Sequence, residues 1–174
     1  IAQRQGDYAT ARTHYENSLH LIEQLNDEPG LSAVLHQFGT LARRQQHYAE
    51  ARTYYERSLA LAQSMGDGAS EAMTIGELAS LARNERQLTQ AEQLYRHAIT
   101  LSEQSGDVIT LRLQQHNLAL LYGEKGRIAE AISLMEMVIA VDQDLDLPYL
   151  EQDQAILREL QAVEARNQAQ WQLR

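Results

Sequence analysis

One pattern recurs every 40 residues along this chain, four times over, and it limits the fold more than any other feature. Ala11, Ala51, Ala91 and Ala131 occupy one column. Tyr15, Tyr55, Tyr95 and Met135 occupy a second, and Leu19, Leu59, Ile99 and Ile139 a third. The columns Leu21, Leu61, Leu101, Val141 and Tyr8, Tyr48, Leu88, Ile128 keep the same spacing. A self-similar period of this size marks a repeat architecture, in which each unit buries its apolar face only by stacking on its neighbours.

Within each period the spacing is helical. Tyr48, Ala51, Tyr55, Leu59 and Ala62 step by three or four residues and so share one helix face. Leu35, Phe38, Leu41, Ala42 and Gln45 do the same in the segment before them. Each period therefore holds two helices. The first type is predicted near residues 30–45, 69–85 and 108–125, and the second near 8–25, 48–65, 88–105 and 128–145. Gly66-Asp67 and Gly106-Asp107 stand one period apart, with Asn26-Asp27 in the same place one repeat earlier. Gly or Asn can adopt the left-handed conformation that ends a helix, and the Asp can cap the next. The fourth repeat departs with Asp146-Leu147-Pro148, where Pro148 suits the first turn of a new helix. The Ala column allows close helix approach; a larger side chain there would overpack the contact at a cost of roughly 1–3 kcal/mol.

These residues resemble the tetratricopeptide repeat family. The likeness runs through Phe38-Gly39, Tyr48, Ala51, Tyr55 and Ser58-Leu59, then Leu78-Ala79, Leu88, Ala91, Tyr95 and Ala98, then Leu118-Ala119, Tyr122, Ile128 and Ala131. The 40-residue period with its Gly-Asp break is similar to the longer-helix branch seen in kinesin light chains, spindle-orientation adaptors and bacterial signalling regulators. The resemblance implies an all-α fold: a right-handed superhelical solenoid of antiparallel helix pairs closed by a C-terminal capping helix. The expected organisation is a partial repeat over 1–27, repeats over 28–67, 68–107 and 108–146, and a capping helix with polar tail over 147–174. Ile156, Leu160 and Val163 form the stripe that would seal the last repeat, although Glu159 stands where a small residue is expected. The first repeat keeps only a stub of its first helix, Ile1 to Gln5, and the absence of an initial Met points to a piece of a longer chain.

Composition narrows the function classes. The net charge of −9 repels phosphate backbones, so nucleic acid is a poor general partner. No apolar run approaches the ~18 residues of a membrane helix, so no membrane partner is expected. The absence of Cys removes thiolate chemistry and fits a reducing, cytoplasmic setting. The six His residues make no metal-ligand pair at helical spacing, and no phosphate-binding glycine loop is present. Asp142, Asp144, Asp146 and Asp153 imitate a calcium loop, but Leu147 occupies the position that needs Gly. The plainer reading is a solvated helix end followed by a cap. Tyr15, Tyr55 and Tyr95 are read as core residues with hydroxyls at the edge. No catalytic, cofactor or metal residue emerges, and no enzyme activity is expected.

The resemblance puts the first-type helices on a concave wall. The residues it would present are His36, Gln37, Thr40, Arg43 and Arg44; Glu77, Ser80, Arg83 and Asn84; and His116, Asn117, Leu120 and Glu124. Asn117 lies in a His-Asn-Leu-Ala element similar to the Asn-Leu-Gly of relatives whose Asn grips a peptide backbone, and an amide both donates and accepts. Arg43, Arg44 and Arg83 suit carboxylates, which leaves two readings: an acidic segment or a chain terminus as ligand, or pairing with neighbouring Glu side chains on the solvated surface. The expected function is thus a protein- or peptide-binding scaffold, the sensor or adaptor segment of a larger signalling protein. The alternatives are a self-association module and the non-catalytic part of a multidomain enzyme such as a signalling ATPase.

Overall fold

The computed structural model describes residues 10, 13–15, 17, 18, 22, 25 and 27–172, with side chains through 170. Arg4, Tyr8, Ala11, Leu19, the Ile1–Gln5 stub and the Trp171 side chain lie outside the described residues. Seven helices follow one another: α1 (Glu28–Arg44), α2 (Tyr48–Met65), α3 (Gly68–Asn84), α4 (Leu88–Ser105), α5 (Val108–Glu124), α6 (Ile128–Asp144) and α7 (Leu150–Gln172). Their bounds fall within about two residues of those predicted from periodicity, and no strand occurs among the described residues. The chain forms two compact units, through Leu94 and from Tyr95.

The caps follow the predicted chemistry. The carboxylates of Asp27, Asp67 and Asp107 accept hydrogen bonds from the backbone N–H of Gly30, Ser70 and Thr110 at 3.0, 3.1 and 3.0 Å. Each satisfies a donor that the helix itself cannot. Helix α2 ends at Gly66 in the left-handed region, with φ 70°. The turn inside each helix pair uses a second left-handed position, held by Gln46 (φ 63°), Arg86 (φ 63°) and Gly126 (φ 74°). Pro148 differs from expectation: it lies in the turn before α7, whose first helical residue is Leu150.

In the first unit, α2 packs between α1 and α3. Ala42, Ala51, Tyr55, Leu78 and Leu81 form its buried cluster, with Tyr48, Leu59 and Leu94 against it. Tyr55 is fully buried, and its ring lies against Gly39, where a Cβ would come within 2.6 Å of the ring. Ser32 and Ser58 close the same interface by reciprocal bonds, each hydroxyl donating to the other's carbonyl, at 3.1 and 2.8 Å.

In the second unit, α6 packs on α5 and α7 packs on α6. Ala119, Met135, Val138 and Ile139 are buried there, covered in part by Leu150, Ile156, Leu157 and Leu160. The apolar stripe of α7 thus does what a capping helix must: it covers the face that the last repeat would otherwise expose. Glu159 is exposed, so it need not be small.

Candidate functional site

In the first unit the structure links four of the predicted wall residues to the Tyr column. The Tyr15 hydroxyl reaches Gln37 Oε1 at 3.4 Å, and one period later the Tyr55 hydroxyl donates to Glu77 Oε2 at 3.2 Å. Thr40 Oγ1 lies 3.2 Å from the same Tyr55 hydroxyl, and Arg43 Nε lies 3.0 Å from Glu77 Oε2. Burial, reinforced by Glu77, pushes the Tyr55 phenol up to about 12, so it remains a donor. His36 is buried, its Nδ1 3.3 Å from Thr74 Oγ1. Burial holds its pKa below the usual imidazole value despite the Glu77 carboxylate, with Arg43 adding to the effect. His36 is therefore a packed, neutral side chain more than a groove-lining one. Arg44 and Asn84 are exposed, Arg83 is half-buried, and Ser80 donates back to the Gly76 carbonyl at 3.1 Å.

The second unit holds a feature the sequence reading did not find. Arg112 is buried, and its guanidinium forms a two-pronged bond with Asp142, Nε to Oδ1 at 2.7 Å and Nη2 to Oδ2 at 2.9 Å. The same guanidinium donates to Asp153 Oδ2 on α7 and lies 4.8 Å from the Tyr149 ring centroid. Asp153 Oδ1 faces His116 Nδ1 at 3.1 Å, a close contact without the alignment of a hydrogen bond. One cation thus faces two carboxyls, both essentially fully buried. The pair resolves the imbalance by separating its proton affinities. Burial, with the Asp142 carboxylate alongside, pushes Asp153 up to about 6 against the pull of Arg112. Burial also works against ionised Asp142, but its bonds to Arg112 and Asp153 hold it below the ordinary carboxylate range. The expected solvated helix end is therefore corrected: Asp142 and Asp153 are core residues, while Asp144 and Asp146 are exposed. A signal existed in the columns. Arg112 stands where Ser32 and Ala72 pack, and Asp142 where Ala62 and Ser102 pack.

Above this network lies an open cleft of about 520 Å³ between α5 and the α6–α7 corner. Ile109, Leu113, Leu147, Pro148 and Tyr149 supply apolar walls, and the polar groups include His116, Asn117 and Gln152. Of the predicted residues on α5, His116 and Asn117 enter the cleft; Leu120 and Glu124 are not among its lining. Apolar walls with a few convergent polar groups are the usual make-up of a ligand site. Among the described residues no group of three or more His, Asp or Glu could hold a metal ion.

This is the arrangement of a helical-repeat protein, and the sequence comparison names the repeat: tetratricopeptide-repeat profiles match residues 1–64 and 114–141. The chain belongs to the tetratricopeptide repeat family. No curated protein matches it significantly in sequence. Among solved structures it is similar to BtubC (BKLC) from P. vanneervenii, with TM-score 0.72 and 19% identity over 97% of this chain and 74% of that one. It is likewise similar to a kinesin-light-chain-type protein from Podosopora anserina with nearly identical TPR-like repeats, at TM-score 0.71 and 22% identity over 99% and 86%. The apo form of RapI gives TM-score 0.82 at 11% identity over 95% of this chain. Aspartyl phosphate phosphatase F from Bacillus subtilis gives 0.82 at 12% over 97%. The chain spans only 61% and 44% of those two proteins.

Proposed function

We propose that this chain is a non-catalytic scaffold that binds a peptide or extended segment of a partner protein, with α5 as the main contact. The observation that carries the reading is the cleft beside His116 and Asn117, where apolar walls and a peptide-compatible amide converge. An acidic ligand on α1 and α3 has less support, because the charge of Arg43 is already set against Glu77. Arg44 and Arg83 would have to carry it. The buried titratable groups are engaged in holding helices together, which favours binding over catalysis. A sensor or adaptor role within a signalling protein accords with the likeness to RapI and aspartyl phosphate phosphatase F, which is a likeness of fold.

The test is a random-peptide display selection on the purified chain, with selected peptides then titrated by fluorescence anisotropy. Asn117→Ala and Leu113→Asp should each weaken binding; Arg44→Glu/Arg83→Glu should not. Equal affinity for all variants, or no selected peptide, would sink the scaffold reading. Sedimentation velocity at rising concentration covers the alternative: a mass that grows with concentration would favour self-association.

A further inference from the structure

Eight large hydrophobic side chains are exposed among the described residues, and five of them lie at or beside one corner. Val108, Ile109, Leu113, Leu145 and Tyr149 are each at least 40% exposed. Three of them wall the cleft, and the other two lie within two residues of its walls in sequence. Such concentration is not scatter; exposed apolar side chains gathered at one cleft mark an interaction site. The exposed charged residues within three positions of its walls are acidic. They are Asp144 and Asp146, just before Leu147 in sequence, and Glu151, between Tyr149 and Gln152. Of the basic groups in the lining, Arg112 is buried and committed to two aspartates, and His116 is set against one of them. The network beneath carries two carboxyls for that one guanidinium, so it adds no positive field.

We infer that this cleft takes an apolar side chain from a partner segment that carries lysine or arginine beside it, the aliphatic group seated between Leu113 and Tyr149 and the cation met by Asp146 and Glu151. The ligand is a basic, apolar peptide, opposite in charge to the acidic segment that the arginines of α1 and α3 suggest from sequence. Arg112 acts as a positioning residue: by joining α5, α6 and α7 it fixes the distance between the two walls. The inference rests on the peptide-binding reading and specifies its ligand.

The experiment compares two fluorescein-labelled peptides identical except for charge, alternating leucine with lysine or leucine with glutamate. The lysine peptide is expected to bind and to weaken with ionic strength. Leu113→Asp should weaken it about tenfold or more, as loss of an apolar anchor does. Asp146→Asn/Glu151→Gln should weaken it as well, while Glu136→Gln/Glu159→Gln, an equal loss of charge away from the cleft, should not. Asn suits position 146, whose φ is 49°. Equal effects of the two charge-removing pairs would reduce the binding to net charge and overturn the inference. So would preference for the glutamate peptide, or library-selected peptides that need Leu113 but lack basic residues; both leave the scaffold reading standing. A concentration-dependent mass abolished by Leu113→Asp would assign the cleft to a second copy of the chain and overturn it too.

Discussion

Gly39 owes its place to the ring it faces. Any side chain there must displace Tyr55, whose ring is fully buried and whose hydroxyl is tied to Thr40 and Glu77. Gly39→Ala should therefore cost about 1–3 kcal/mol, visible as a lower melting temperature. Asp153 makes a prediction of a different kind. Its folded pKa of about 6 lies above the ordinary 3.8, so the folded chain holds the proton more tightly than the unfolded one. That contribution is fully present below the ordinary value and is lost as pH rises through about 6. Asp142 runs the other way: its pKa is lowered, and its contribution disappears only as pH falls below the ordinary range. Between about pH 4 and 7 Asp153 shares the slope with His36, whose lowered pKa acts in the opposite direction. In urea melts of wild type and Asp153→Asn across that window, the difference should shift in the variant's favour as pH rises, because an amide stands in for the protonated acid and His36 titrates in both. Arg112→Ala should be harsher, roughly 3–5 kcal/mol, since it strands a buried carboxylate.

At the scale of the element, each helix pair turns through a left-handed residue, and only one of the three described is glycine. A side chain in that conformation costs roughly 1–2 kcal/mol, partly offset by the extra chain entropy that glycine loses on folding. Arg86→Gly should raise stability by about 1 kcal/mol or somewhat less; a fall on thermal melting would show that Arg86 contributes a contact worth more than the strain. Helix positions were readable in the sequence because the period repeats the same apolar face and the same Asp cap. The position of α7 was readable from its Ile156–Leu160 stripe. The network was not, because Asp153 becomes a partner of Arg112 only when α7 folds back onto the repeat 41 residues away. His36 and His116 show the same limit. They share a column, yet one is packed against Thr74 and the other faces a carboxylate, and the difference comes from neighbours on other helices. Asn117, singled out by its motif, lines the cleft, whereas Tyr149 and Ile109 join it only once the corner is formed.

At the scale of the whole molecule, each unit carries its own buried cluster, one centred on Tyr55 and one on Met135 and Val138. Stability in such arrays is built from neighbouring contacts. Hydrogen exchange should accordingly respond locally, with Gly39→Ala loosening α1–α3 first and Asp153→Ala loosening α5–α7 first. Uniform loosening by either substitution would refute that division. The ionic junction also bears on how an array of this kind can lengthen. Were residues 108–147 copied in tandem, the upstream copy would meet Leu113 where it now meets Asp153, one period on. Arg112 would lose its second carboxylate to a leucine, and a buried guanidinium is intolerant of such an exchange. The earlier repeats, with Ser32, Ala72, Ala62 and Ser102 at these positions, are free of that constraint. New units can thus be inserted before this repeat but not after it, and its chemistry writes a full stop into a sequence that is otherwise periodic.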